Sequence, residues 1–266
     1  MADPKRHMTV PEIVRMKSEG RRIVVLTAYD FLLGQILDES GVDIVLVGDT
    51  VAHVVQGRRS TLAVTMEQML YHTEMVRRAV SRAMVVGDMP FLSYQPGPSV
   101  AIQNAGRFLK EAGCDAVKLE GGVRSAEIIR ALVQADIPVM GHVGLTPQSE
   151  LRLGGYRVQR NEPELLADAR AVQEAGAFAV VLECIRAEIA GKITRMLSIP
   201  TIGIGAGPEC DGQVLVTYDL LGLYDAFRPK YVKRYAELGA EIRRAVGQYC
   251  EEVRGGRFPT GEQSFR

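Results

Sequence analysis

Short β-branched runs alternate along this chain with longer stretches of helical period, and this alternation calls for repeated strand–helix units around a parallel sheet. Eight such runs predict strands: Ile23 to Thr27, Asp43 to Val47, Met84 to Asp88, Ala116 to Glu120, Pro138 to His142, Ala179 to Glu183, Thr201 to Gly205 and a weaker Gln213 to Val216. Helices are expected between them, at Thr65 to Ser81, Ser99 to Ala112, Ser125 to Ala135, Glu162 to Ala175 and Ala187 to Leu197. Several of these open on a Ser or Thr that can cap the first turn.

A helix over Met8 to Glu19 precedes the first strand. A charged amphipathic helix over Tyr231 to Arg254 follows the last, with an irregular tail from Gly255. At 266 residues and 47% apolar side chains, the chain can bury one large core. The expected architecture is therefore α/β: a single (β/α)8 TIM-type barrel domain over residues 1–266, with an N-terminal helix and an extra C-terminal helix.

An internal echo supports the unit-by-unit reading. Glu39-Ser-Gly-Val-Asp-Ile-Val, Glu111-Ala-Gly-Cys-Asp-Ala-Val and Glu174-Ala-Gly-Ala-Phe-Ala-Val each end a helix with Gly and enter a strand. Each echo runs on into an acid, Asp49, Glu120 or Glu183. Asp88 and His142 follow two similar strands.

Thirty-two basic residues balance 32 acidic ones, so overall charge points to neither nucleic acid nor an anionic membrane as the main partner. The four cysteines lie far apart, without C-x-x-C spacing or a histidine at zinc-ligand distance, as expected for reduced thiols in the cytoplasm. Met1 to Arg6 is charged, and an amphipathic segment follows rather than an apolar signal core. No apolar run approaches the length of a membrane span.

In parallel α/β barrels the C-terminal strand ends build the active site, so polar residues delivered there by several strands converge. One such acid alone reads equally well as a helix cap or loop residue. The coincidence over four strands weakens that reading. Asp49, Asp88 and Glu120 offer hard oxygens with no softer ligand nearby in the pattern, which suits Mg²⁺. A 2-oxo acid bound to such an ion would lose its adjacent proton to give a stabilised enolate.

Lys118 interrupts an apolar strand on the same face as Glu120, and either Glu120 or a substrate carboxylate would balance its charge. A lysine paired only with Glu120 inside the barrel is the structural alternative. Glu183 is the candidate base; taken alone, it serves equally as a metal ligand. His142 is assigned a supporting role. The run Gly203-Ile-Gly-Ala-Gly207 lacks dinucleotide spacing and reads as a tight turn that lets a ligand approach the backbone.

Across nearly the whole chain the motifs resemble those of the ketopantoate hydroxymethyltransferase family. They are Leu26-Thr-Ala-Tyr-Asp30, Val47-Gly-Asp-Thr50, Val55-Gln-Gly57, Thr61-Leu62, Tyr71-His-Thr73, Asp88-Met-Pro-Phe91 and Val117-Lys-Leu-Glu-Gly-Gly122. Further along come Gly141-His-Val-Gly-Leu-Thr-Pro-Gln148, Gly154-Gly-Tyr156, Leu182-Glu-Cys184 and Ile202-Gly-Ile-Gly-Ala-Gly207. The resemblance implies a barrel of the phosphoenolpyruvate/pyruvate-domain type. It also implies 5,10-methylenetetrahydrofolate as donor of a hydroxymethyl group to 3-methyl-2-oxobutanoate, in pantothenate biosynthesis.

By the same resemblance the metal ligands are Asp49, Asp88 and Glu120, the 2-oxo acid contacts are Asp49, Thr50, Asp88 and Lys118, and the proton acceptor is Glu183. The family often has Gly-Asp-Ser where this chain has Gly48-Asp-Thr50, and a smaller, less polar stretch in place of Val51-Ala-His-Val54. The resemblance implies a homo-oligomer, often a decamer. Competing readings are a Schiff-base aldolase with Lys118 as nucleophile, a metal-dependent lyase of the same barrel superfamily, and a 2-oxo acid sensor without turnover.

Overall fold

A computed structural model describes residues 7–155, 157–224 and 228–265; Tyr156 and the segment Met1 to Arg6 lie outside the described residues. The chain falls into two compact units, Met1–Val216 and Thr217–Arg266. In the first, eight strands close into a barrel in chain order: β1 (Ile23–Thr27), β2 (Ile44–Val47), β3 (Met84–Asp88), β4 (Ala116–Lys118), β5 (Val139–Gly144), β6 (Ala179–Glu183), β7 (Thr201–Ile204) and β8 (Gly212–Leu215). Every pair is parallel, and β8 returns to β1 through Val25 opposite Val214.

Every residue of β2, β3 and β4 is buried, as expected of strands covered by helices outside and filled by side chains within. Val25, Ile44, Met84, Val86, Met140, Val181 and Ile202 belong to one buried apolar cluster. The helix Val10–Ser18 adds Ile13 and Met16 to the same cluster. Each such burial contributes about 1.5–3 kcal/mol. Met8 donates its amide to the Arg82 carbonyl, and Lys17 Nζ lies 2.8 Å from Asp211 Oδ2, so this helix is pinned to the barrel by polar contacts as well.

The strand expectations hold to within a residue or two, with a physical reason where they differ. β4 stops at Lys118 rather than Glu120, because the Glu120 amide donates to the Tyr94 hydroxyl instead of a strand carbonyl. β5 runs on past His142 to Gly144, where φ is +97° and a Cβ would stand 2.4 Å from the Glu183 carbonyl oxygen. Only glycine allows that close approach beside β6.

Among the expected caps, Thr65 accepts from the Gln68 amide at 3.3 Å. Ser99 does not cap its helix, which begins at Pro98 after Gly97. The Ser125 hydroxyl donates instead to the Glu120 carbonyl at 2.8 Å.

In the second unit the long helix spans Leu238–Arg254, starting seven residues later than Tyr231. The amides of Tyr235, Leu238 and Gly239 donate to the carbonyls of Leu220, Leu221 and Gly222, which commits this stretch to the preceding turn. The helix shows a row of exposed apolar residues, Leu238, Ile242, Val246, Tyr249 and Val253. No described helix is long and apolar enough to cross a membrane.

Candidate active site

Parallel closure brings all eight C-terminal strand ends to one mouth, so polar residues scattered over 135 positions share a cavity of about 460 Å³, open solvent included. Asp49 lies two residues beyond β2, Asp88 ends β3, Lys118 ends β4 with Glu120 just beyond it, His142 lies within β5 and Glu183 ends β6. With Thr50, these seven predicted site residues all line the cavity. Leu46, Val181, Ile204 and Val214 give it an apolar wall.

Lys118 is 4% exposed, and its Nζ stands 2.8 Å from Asp88 Oδ1, a partner beyond the two anions expected for it, Glu120 and a substrate carboxylate. The reason is register: β3 and β4 set Asp88 directly opposite Lys118. Burial pulls the Lys118 ammonium down, but the charges of Asp88, Glu120 and Asp49 outweigh it and raise the pKa above its ordinary value. Burial pushes the Asp88 carboxyl up to about 7; Lys118 pulls against this shift and Asp49 adds to it. Asp88 Oδ2 also accepts the Asp49 amide at 3.2 Å.

His142 stands between both sets of charges. Its Nδ1 is 3.4 Å from Lys118 Nζ and 3.7 Å from Glu120 Oε1, and its Nε2 is 3.2 Å from Glu183 Oε2, outside hydrogen-bond alignment. Burial, reinforced by Lys118, lowers its pKa and favours the neutral ring. The ammonium beside Nδ1 then makes that atom the acceptor, which leaves the proton on Nε2, the ring nitrogen on the Glu183 side. The Glu183 side chain is 14% exposed, against 3% for His142 and 1% for Glu120, so it sits nearest the open mouth.

Two residues the sequence reading did not single out tie the acids together. Gln148, from the turn Pro147–Ser149, bonds Asp49 through its side chain and Glu120 through its backbone amide. The buried Tyr94 hydroxyl meets both Gln148 and Glu120. Gln148 closes the motif Gly141-His-Val-Gly-Leu-Thr-Pro-Gln148 without a role assigned to it there, and nothing in local sequence marks Tyr94. The Thr50 hydroxyl is held 2.7 Å from that of Tyr29. In the glycine run, Gly207 does fold as a tight turn with φ +85°. A Cβ on Gly207 would stand 2.6 Å from that of Ala187.

The donor chemistry suits a hard divalent cation. Four carboxylates, Asp49, Asp88, Glu120 and Glu183, share the cavity with one ammonium. Burial, with Asp49 adding to it, raises Glu120 well above the carboxylate range, a cost that a bound cation would relieve. Glu120 Oε1 is buried without a hydrogen-bond partner. Among the described residues no three His, Cys, Asp or Glu side chains converge as a ready-made metal cage. Mg²⁺ is commonly held by one or two carboxylates, with water and ligand oxygens completing its shell, so this set fits.

The sequence model of a family described as ketopantoate hydroxymethyltransferase matches residues 7–261. A 3-methyl-2-oxobutanoate hydroxymethyltransferase of Trichlorobacter lovleyi is 56% identical over 264 residues, covering 98% of this chain and 99% of that one. A protein of the same name from Moorella thermoacetica is 54% identical over 266 residues, with 98% and 99% coverage.

Among solved structures, 2,3-dimethylmalate lyase, a PEP mutase/isocitrate lyase superfamily member, matches with a TM-score of 0.62 at 21% identity, over 96% of this chain and 91% of that one. The phosphoenolpyruvate phosphomutase of Streptomyces platensis subsp. rosaceus gives 0.64 at 16% identity, over 94% and 88%. At such identities the likeness speaks to the closed parallel barrel alone.

Proposed function

Because this chain belongs to the ketopantoate hydroxymethyltransferase family, we propose that its mouth joins a hydroxymethyl group to 3-methyl-2-oxobutanoate and releases ketopantoate. The donor is 5,10-methylenetetrahydrofolate, which with one water leaves as tetrahydrofolate. The observation that carries this reading is the convergence of Glu183 with Asp49, Asp88, Glu120 and Lys118 in one cavity. We further place the reaction in the cytoplasm, in keeping with four free cysteines. Assembly as a homo-oligomer, with a decamer as the form the family resemblance implies, is supported by the exposed apolar row from Leu238 to Val253.

Asp49, Asp88 and Glu120 would hold Mg²⁺, which supplies electron withdrawal from the keto group as the neighbouring proton leaves. Thr50, held by Tyr29, offers its hydroxyl to the substrate's carboxylate end, and the Lys118 ammonium adds positive charge there. Val181, Ile204 and Val214 accommodate the branched alkyl end. Glu183, at the outer edge of that wall, takes the C3 proton, with His142 Nε2 standing 3.2 Å from its Oε2.

An assay for ketopantoate should show formation that needs both the folate donor and Mg²⁺ and stops in excess chelator. Undiminished formation in chelator would overturn the metal-dependent reading.

The Schiff-base alternative requires a neutral Lys118. The ion pair with Asp88 and the raised pKa keep it charged. Borohydride added with 3-methyl-2-oxobutanoate should therefore leave the mass of the protein unchanged. A reduced adduct on Lys118 would establish the aldolase mechanism instead.

A further inference from the structure

We propose that Gln148 is a positioning residue that turns one carboxylate oxygen each of Asp49 and Glu120 toward a divalent cation, and that Tyr94 locks it in that orientation. The inference rests on the metal-dependent reading above. Gln148 is 6% exposed and every polar group of its side chain is used. Its Nε2 donates to Asp49 Oδ2 at 3.1 Å and to the Met89 carbonyl at 2.9 Å. Its Oε1 accepts from the Tyr94 hydroxyl at 2.8 Å and from Gln95 Nε2 at 3.1 Å.

Two donors and two lone pairs are thus matched, and a flipped amide would set oxygen against the Asp49 carboxylate and nitrogen against the Gln95 amide. The backbone amide of the same residue donates to Glu120 Oε2 at 3.0 Å. One residue on the loop after β5 therefore ties down an oxygen of the acid after β2 and an oxygen of the acid after β4.

The tie on Glu120 has a visible consequence, since its other oxygen, Oε1, is left buried without a hydrogen-bond partner. Such an oxygen is costly to leave bare and is available to a ligand. Tyr94 closes the circuit by accepting the Glu120 amide at 3.2 Å. A continuous chain then runs from the Glu120 amide through the Tyr94 hydroxyl to Gln148 Oε1, and from Gln148 Nε2 to Asp49. Bonds in such chains polarise one another. Groups that orient ligating carboxylates in this way commonly contribute 10- to 100-fold to metal affinity.

A residue that merely pinned the loop would affect stability and leave cation affinity alone. The test uses Mn²⁺ alone as a paramagnetic probe of the full-length protein, titrated by electron paramagnetic resonance without substrate. Gln148→Met keeps the length of the side chain and removes its hydrogen bonds; its Mn²⁺ dissociation constant should rise by about 10-fold or more. Gln148→Glu sets a carboxylate against Asp49 and should bind more weakly still.

Tyr94→Phe removes one hydroxyl and decides the matter should the Gln148 variants fail to fold; its Mn²⁺ affinity should fall several-fold. Folded variants that bind Mn²⁺ within about twofold of the wild type would overturn the proposal, since the contribution expected of such groups is larger. A wild type that binds no Mn²⁺ would overturn the metal-dependent reading itself, and the inference with it.

Discussion

Glu183→Gln should retain Mg²⁺ and 3-methyl-2-oxobutanoate and lose about 10²- to 10⁴-fold in rate, the usual contribution of a positioned general base. The amide keeps the shape of the side chain and a polar tip beside His142 Nε2, now 3.2 Å from Oε2, but cannot accept the C3 proton. Proton exchange at C3 in deuterated water, followed by NMR without folate, isolates this half-reaction. Wild-type protein should exchange the proton and the variant should be nearly silent. Comparable exchange in both would transfer the role to another group, with His142 the first candidate. The same measurement addresses the sensor alternative, because a protein that only binds the 2-oxo acid would leave the C3 proton in place.

Asp88→Ala should abolish cation binding and ketopantoate formation together. It should also be the less stable protein, because Lys118 is 4% exposed and would lose its partner at 2.8 Å. Breaking a buried pair by removing one member costs about 3–5 kcal/mol, and the nearby charges of Asp49 and Glu120 place this case toward the lower end. The Asp49 amide would also lose its acceptor. Urea unfolding should show a lower midpoint, and calorimetric titration with Mg²⁺ should show no specific heat. Full turnover of Asp88→Ala in excess chelator would sink the assignment of Asp88.

Much of this barrel was legible in the sequence because its period is local. The strands at Ile23, Met84 and Ala179 begin and end where the β-branched runs put them. The C-terminal helix begins at Leu238 rather than Tyr231, since amides entering it pair with carbonyls of the Leu220 turn, which an amphipathic pattern does not encode. The run of strand-forming residues likewise reaches Glu120, but the Tyr94 hydroxyl that takes the Glu120 amide comes from a loop 26 residues away.

Sequence by itself determined that Asp49, Asp88, Lys118, Glu120, His142 and Glu183 would meet, because a parallel barrel sends every strand's C-terminal end to one mouth. Tertiary structure alone decided which of them touch. Strand register set Lys118 against Asp88 rather than Glu120. The fold of the loop after β5 brought Gln148 to Asp49 across 99 positions of chain. Side-chain periodicity specifies the face on which a residue lies. Its neighbours on that face depend on inter-strand register and loop closure, which only the folded chain defines.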